Sequence, residues 1–204
     1  FYFGKQKAKV NTYIGGIGGT INTPALLAAK LGITENRIKL FKVTGVDVEC
    51  AIIGGSYSLP IGAFVLDQSI TYYIDIDGLN TEIYKGLNNC NNLKTLYFPN
   101  LTSLRGGLSG GWLTNQSLIR AYFPRLIYMG ETVGQDEVFR SGYRYSDVLY
   151  VPDVHRTSNS GNADGDIQRY VSNGFGASIR YVTNFTPPNT ITNLSTETIY
   201  NTGV

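Results

Sequence analysis

The chain has 204 residues, a formal net charge of +2, and only 16% charged residues. Its lysines and arginines are scattered, which excludes the concentrated basic face that a nucleic-acid binder needs. No apolar run reaches the ~20 residues that cross a bilayer. With 24 glycines and 15 tyrosines, the composition is typical of turn-rich β proteins that work outside cells.

Residues 1–66 predict a small mixed α/β domain, which we expect to attach the chain to a larger assembly. A helix is predicted in "TPALLAAKLG". Thr23 suits the N-cap, Pro24 the first helical position, and Gly32 the left-handed residue after the helix ends. The alternation in "NRIKLFKVTGVDVECAII" then predicts a β-hairpin that turns at its Thr-Gly dipeptide.

Cys50 and Cys90 are too few to form a disulfide framework. Both have apolar or strand-like neighbours, so we expect buried free thiols. No Cys/His cluster, phosphate loop or dinucleotide fingerprint accompanies them. The sequence therefore indicates no cofactor.

One phrase is written twice in the second half of the chain. It reads "NLKTLYFPNLTSL" over residues 92–104 and "SLIRAYFPRLIYM" over residues 117–129. Weaker copies are centred on Tyr150 and Tyr181 and a partial one on Asp75, so that successive copies are 22, 25, 28 and 31 residues apart. A repeat of roughly 20–30 residues with L-x-x-L-x-L spacing indicates stacked coils whose strands form a parallel sheet.

Alternation within each strand points every second side chain toward the interior. The repeat therefore predicts that Leu96, Ala121 and Leu149 stack over one another in a single core. The tyrosine that follows each of them is expected to face solvent.

The stretch "NNCNNLKTLYFPNLTSL" resembles the BspA-like leucine-rich repeat, whose coils contain a cysteine, an L-x-x-I-x-(L/F)-P strand and a second apolar return. The residues of the first copy that match this pattern are Cys90, Leu93, Leu96, Phe98, Pro99, Leu101 and Leu104. The second copy lacks the cysteine, and the fourth has Arg180 and Thr183 at an apolar and a proline position, which suits a cap. The resemblance implies a role like those of bacterial surface adhesins, parasite surface proteins or phage structural proteins.

These features together predict the α+β fold class, with a short leucine-rich-repeat solenoid and its parallel β-sheet behind the N-terminal α/β domain. The solenoid is expected to begin after residue 66. The predicted segments are 1–66 for the attachment domain, 67–185 for the solenoid, and 186–204 for a linker or C-terminal extension.

The first candidate binding site is a row of tyrosines on the solvent face of the sheet. Its members are Tyr97, Tyr122, Tyr150 and Tyr181. Such a row offers a platform for a sugar ring or an anchor for a protein partner. The alternative is that the rings pack on one another along the sheet and stabilise strand pairing.

The second candidate site consists of the longer segments inserted between the repeats, with Trp112, Tyr143 and Tyr145. Long loops on a rigid scaffold often carry recognition. Insertions of this kind are equally well tolerated in repeats without any function.

A remote alternative is a serine hydrolase. "GLSGG" matches G-x-S-x-G with Ser109 as nucleophile, and Asp147 or Asp153 and then His155 follow in the order of an α/β-hydrolase. The motif lies between two predicted coils rather than on a strand-to-helix turn, so we expect no catalysis.

Calcium is a further alternative, because "DIDG" (75–78) and "NADGD" (162–166) place carboxylates two residues apart. The chemistry of tight turns explains the same residues equally well. We therefore expect no metal site.

The sequence favours a non-enzymatic structural or adhesion module, exposed on a virion as part of a phage head, tail fibre or decoration protein. The alternative is a fragment of a BspA-like adhesin on a bacterial cell surface. The expected partners are other virion or surface proteins, a second copy of the chain, and a cell-surface glycan or protein receptor. Nucleic acid and a membrane span are not expected.

Overall fold

The structure is a computed structural model that describes residues 8–84, 86–105, 120–126, 128–129, 148–152 and 179–182. In these residues there is one α-helix, α1 (Pro24–Leu31), followed by a 3-10 turn at Glu35–Arg37. The strands are β1 (Thr12–Gly15), β2 (Ile38–Thr44), β3 (Asp47–Ile52), β4 (Tyr57–Leu59), β5 (Tyr72–Asp75), β6 (Asn80–Tyr84), β7 (Thr95–Tyr97), β8 (Ser103–Arg105), β9 (Arg120–Tyr122), β10 (Tyr128–Met129), β11 (Val148–Pro152) and β12 (Ile179–Val182).

The described strands form two sheets. The larger has eight strands in the order β12-β11-β9-β7-β5-β1-β3-β2, and the smaller has four in the order β10-β8-β6-β4. Neighbours among β2, β3, β1 and β5 are antiparallel, whereas β5, β7, β9, β11 and β12 run parallel. The larger sheet is therefore mixed, and it stays open with β2 and β12 at its edges.

The predicted α+β fold class, a leucine-rich-repeat solenoid behind a separate α/β domain, is wrong. The described chain is mostly sheet with a single helix, and strands from both sides of residue 66 share the larger sheet. One hydrophobic cluster also extends from Ile14 to Leu126. The physical reason is that β1 pairs with β5, Thr12 opposite Asp75, and so satisfies the backbone groups that an isolated first repeat would leave unpaired.

The local predictions for the helix and the hairpin are confirmed. The Thr23 hydroxyl accepts the N–H of Leu26 at 3.2 Å, and Gly32 ends the helix with a φ of 66° in the left-handed region. β2 and β3 form the expected antiparallel hairpin, which closes where Thr44 pairs with Asp47.

The central copies of the repeated phrase pair as their alignment predicts. Leu96 lies beside Ala121 across β7 and β9, and Ala121 lies beside Leu149 across β9 and β11. The side chains of Leu96 and Ala121 are buried in the same cluster. Spacing alone therefore located the register of these strands.

The outer copies pair one residue away from the sequence alignment. Ile74, rather than Asp75, lies beside Tyr97. Tyr181 lies beside Val151 rather than beside Tyr150. The registers of these two outer pairs therefore differ from the sequence alignment by one residue.

Both faces of the central strands are buried. Tyr73 and Leu96 belong to the main cluster, which also contains residues of α1 and of the smaller sheet. Their neighbours Tyr72 and Tyr97 belong to a second cluster. Burial on both faces is typical of parallel strands, and it makes the middle of the sheet a rigid base for the segments at its ends.

Candidate functional site

An open cleft of about 230 Å³ lies at one end of the larger sheet. β1 runs toward this end while the antiparallel β5 and the next strand, β7, start from it, so three strand ends meet there. The residues that line the cleft are Gly16, Val46, Asp47, Thr71, Tyr72, Lys94 and Thr95.

Asp47 is held in place on one side of the cleft. The backbone N–H of Gly16 donates to its Oδ1 at 3.2 Å. Burial, followed by the charge of Asp47 and hydrogen bonding toward it, raises the pKa of Tyr72. Gly16 has a φ of +87°, and a Cβ there would lie 1.7 Å from the carbonyl oxygen of Ser69, so this approach requires glycine.

Lys94 and Thr71 form the other side of the cleft. The backbone N–H of Lys94 donates to the Thr71 carbonyl at 2.7 Å, and that of Thr71 donates to the Gly15 carbonyl at 2.9 Å. These bonds fix the starts of β5 and β7 next to the end of β1. The Lys94 side chain is exposed, whereas Thr95 is buried. The cleft therefore combines one carboxylate, one ammonium group and three hydroxyls, which suits hydrogen bonding to a polar ligand.

The expectation that the tyrosine row faces solvent is wrong for Tyr97 and Tyr122, which are 0% and 2% exposed. Their ring centroids are 5.9 Å apart in an edge-on arrangement, within the cluster that includes Tyr72 and Ile74. The physical reason is that this side of the sheet is itself a core. These two rings pack on each other, as the alternative interpretation predicts.

The remaining predicted site residues have no described side chains. For Tyr150 and Tyr181 the structure describes the backbone, as parts of β11 and β12. The residues that lie outside the described part of the chain are Ser109, Trp112, Tyr143, Tyr145, Asp147, Asp153 and His155, together with the "NADGD" segment.

The "DIDG" segment forms a turn between β5 and β6. Asp75 is buried, and its Oδ2 accepts the backbone N–H of Asn80 at 2.7 Å. Asp77 is exposed, and its Oδ2 accepts the side-chain amide of Asn11 at 2.9 Å. Within the described residues, no three His, Cys, Asp or Glu side chains lie close enough together to hold a metal ion.

Both cysteines are buried and unpaired, as predicted. Burial raises the pKa of Cys50 to about 12 and that of Cys90 to about 12, and the Cys90 thiol donates to the Phe64 carbonyl at 2.9 Å. Because the thiolate is the reactive form, we expect iodoacetamide to leave the native chain unlabelled at pH 8 and to modify 2 cysteines per chain after denaturation. Mass spectrometry measures both states.

A Ser58→Cys variant is the positive control, because residue 58 is exposed on β4. It should gain one label in the native state. Labelling of either native cysteine at the same rate as this introduced thiol would contradict the expected burial.

The cleft was not predicted from the sequence. The available signal was that Thr71 and Lys94 hold equivalent places, each immediately before a strand of the paired repeats. Asp47 gave no such signal, because the hairpin that carries it reaches the cleft only through the pairing of β3 with β1.

The one helix in the described part of the chain is far too short to cross a membrane. Comparisons with protein-family models, curated proteins and solved structures found no match to this chain. The resemblance to BspA-like repeats therefore remains an interpretation of the sequence. The function is therefore inferred from the chemistry of the site itself.

Proposed function

We propose that this chain is a non-enzymatic structural and adhesion module exposed on the surface of a phage virion, as part of a head or tail fibre or a decoration protein. The observation that carries the proposal is the sheet, in which five parallel strands follow one another and the central ones are buried on both faces. Such a sheet is a stiff support for binding groups at the ends of its strands, such as those that line the cleft.

The edge strand β2 hinders uncontrolled pairing with strands of other molecules. This supports a role in which the chain presents side chains to its partners. This strand carries the exposed Lys39 and Lys42, and its pairing with β3 is interrupted between them by a bulge. Leu40, inside the bulge, has a φ of 51°. Lysines and bulges at an edge hinder the addition of another strand. Partners of this part of the molecule would therefore bind through side chains.

The composition supports the same role. The whole chain has only 16% charged residues and contains 24 glycines, and the cleft offers hydroxyls with one charge of each sign. These groups suit the recognition of neutral polar partners. Such partners would be other virion proteins, a second copy of the chain, or a receptor on the host cell.

The proposal is tested by locating the chain on its native particle. Virions purified by density gradient and washed host-cell envelopes from the same culture would be compared by quantitative mass spectrometry. We expect peptides of this chain to be enriched with the virions. Immunogold electron microscopy on the same virions should then label their surface.

Enrichment in envelopes alone would overturn the virion assignment and favour a bacterial cell-surface adhesin. An abundant host cytoplasmic protein serves as the control for contamination, since it should be depleted from both fractions.

A further inference from the structure

The cleft between Asp47 and Lys94 contains polar groups whose hydrogen-bonding capacity is not filled by the fold. A carboxylate has ~four lone-pair sites, and the described hydrogen bond to Asp47 comes from the N–H of Gly16. We propose that this cleft binds a single sugar ring of a surface glycan. This inference rests on the proposed role in surface recognition and names its ligand class.

The size of the cleft limits the ligand. Its volume of about 230 Å³ is below the ~300–1,000 Å³ that is usual for pockets of drug-sized ligands. One ring fits such a volume, whereas a nucleotide or a peptide would extend far outside it. The open side leaves room for the rest of a glycan chain to continue into solvent.

The chemistry of the lining residues matches a sugar. Each sugar hydroxyl both donates and accepts, so Asp47 can accept from one hydroxyl while Lys94 donates to another. Val46, which is 53% exposed, contributes apolar surface against which the C–H face of a ring can pack. A simple anion would meet the carboxylate and a simple cation would meet the ammonium group, so the pair favours a neutral polyhydroxylated ligand over either of these two.

The cleft is also built in advance. Asp47 is held by its hydrogen bond from the N–H of Gly16, and the backbone of Lys94 is held by its bond to Thr71. A site that is already ordered loses less entropy when the ligand binds.

The experiment is saturation-transfer NMR on the full chain with the methyl glycosides of glucose, galactose, mannose and N-acetylglucosamine. We expect at least one glycoside to bind. Lys94→Met and Asp47→Asn should each raise its Kd about tenfold or more, which corresponds to the loss of ~1.4 kcal/mol.

Lys39→Met is the matched control, because residue 39 is an exposed lysine that pairs with Ala51, toward the opposite end of the hairpin from Asp47. It should leave the Kd unchanged. Thermal unfolding would verify that each variant is folded, and the exposed position of Lys94 keeps the test informative if the Asp47 variant does not fold.

The inference is overturned if none of the four glycosides binds, if both cleft variants bind as the original chain does, or if inorganic phosphate binds in their place. None of these outcomes affects the location of the chain on virions. Failure of the glycan inference and failure of the proposed function are therefore separate results.

Discussion

Phe98→Ala should lower the free energy of unfolding by about 3–5 kcal/mol, the usual cost of truncating a buried phenylalanine to alanine. Phe98 follows β7 and is 0% exposed. Its ring lies between Tyr73, with a centroid distance of 5.0 Å, and Phe123, at 6.4 Å in a stacked arrangement. Removing the ring leaves a cavity between the side chains of Tyr73 and Phe123. These residues lie on or next to different strands, so they cannot readily move together to fill the cavity.

The measurement is urea denaturation followed by circular dichroism, with the midpoint and slope fitted together. Ile61→Ala is the control, because residue 61 is 68% exposed and truncation of an exposed side chain usually changes stability by less than ~0.5 kcal/mol. Equal effects from the two variants would show that the ring of Phe98 is not part of the core.

The second large effect concerns Asp75, a carboxylic acid that is only 1% exposed. Burial raises its pKa to about 6 from an ordinary value of 3.8. Backbone N–H donors, of which that of Asn80 has the largest effect, lower the pKa and so offset part of this increase. The charge of Asp77 adds a smaller increase. Burial raises the pKa of Tyr57 and of Tyr73, and the charge of Asp75 adds a smaller increase to both; the two hydroxyls share a hydrogen bond of 2.6 Å.

The sign of the pH effect follows from this shift. Between pH 3.8 and about 6 the folded state holds a proton on Asp75 that the unfolded state has released. The folded state therefore becomes less stable as the pH rises through this window, and the loss is complete above it. One pKa unit corresponds to about 1.4 kcal/mol, so the loss is on the order of 3 kcal/mol.

Asp75→Asn should remove this part of the pH dependence, because the amide is neutral at every pH and its oxygen can still accept the Asn80 N–H. The free energy of unfolding, measured by urea denaturation at several pH values from 4 to 7, should fall for the original chain and fall much less for the variant. At pH 7 the variant should be the more stable of the two.

Asp77→Asn is the matched control, since residue 77 is the exposed acid of the same turn. The free energy of unfolding of this variant should still fall as the pH rises, but at a slightly lower pH, because the charge of Asp77 contributes to the raised pKa of Asp75. If the free energy of unfolding of Asp75→Asn fell with pH as steeply as that of the original chain, the assignment of this titration to Asp75 would be contradicted.

The part of the fold that could be predicted is the part in which residues close together in the sequence decide the structure. The cap of α1 depends on Thr23 and Leu26, three residues apart, and the β2–β3 hairpin depends on a glycine at its turn. The pairing of Leu96 with Ala121 was predictable for a related reason, since two copies of one phrase pair in equivalent positions. These signals survive without knowledge of the rest of the chain.

The faces of the sheet could not be predicted in the same way. Tyr97 was expected in solvent because it alternates with Leu96, yet both are buried. Tyrosine has an apolar ring and a polar hydroxyl, so it fits a wet surface and a second core equally well. Alternation tells which side chains share a face, and it does not tell whether that face is covered.

The sequence by itself determined the helix, the hairpin, the buried thiols and the register of the central repeats, because each depends on short-range spacing or on residue type. Only the tertiary structure decided the mixed sheet and the cleft. β1 joins β5 through a pairing of Thr12 with Asp75, and the cleft gathers residues from four separate segments of the chain. Such contacts depend on which distant strands find each other, and no local pattern of side chains encodes that choice.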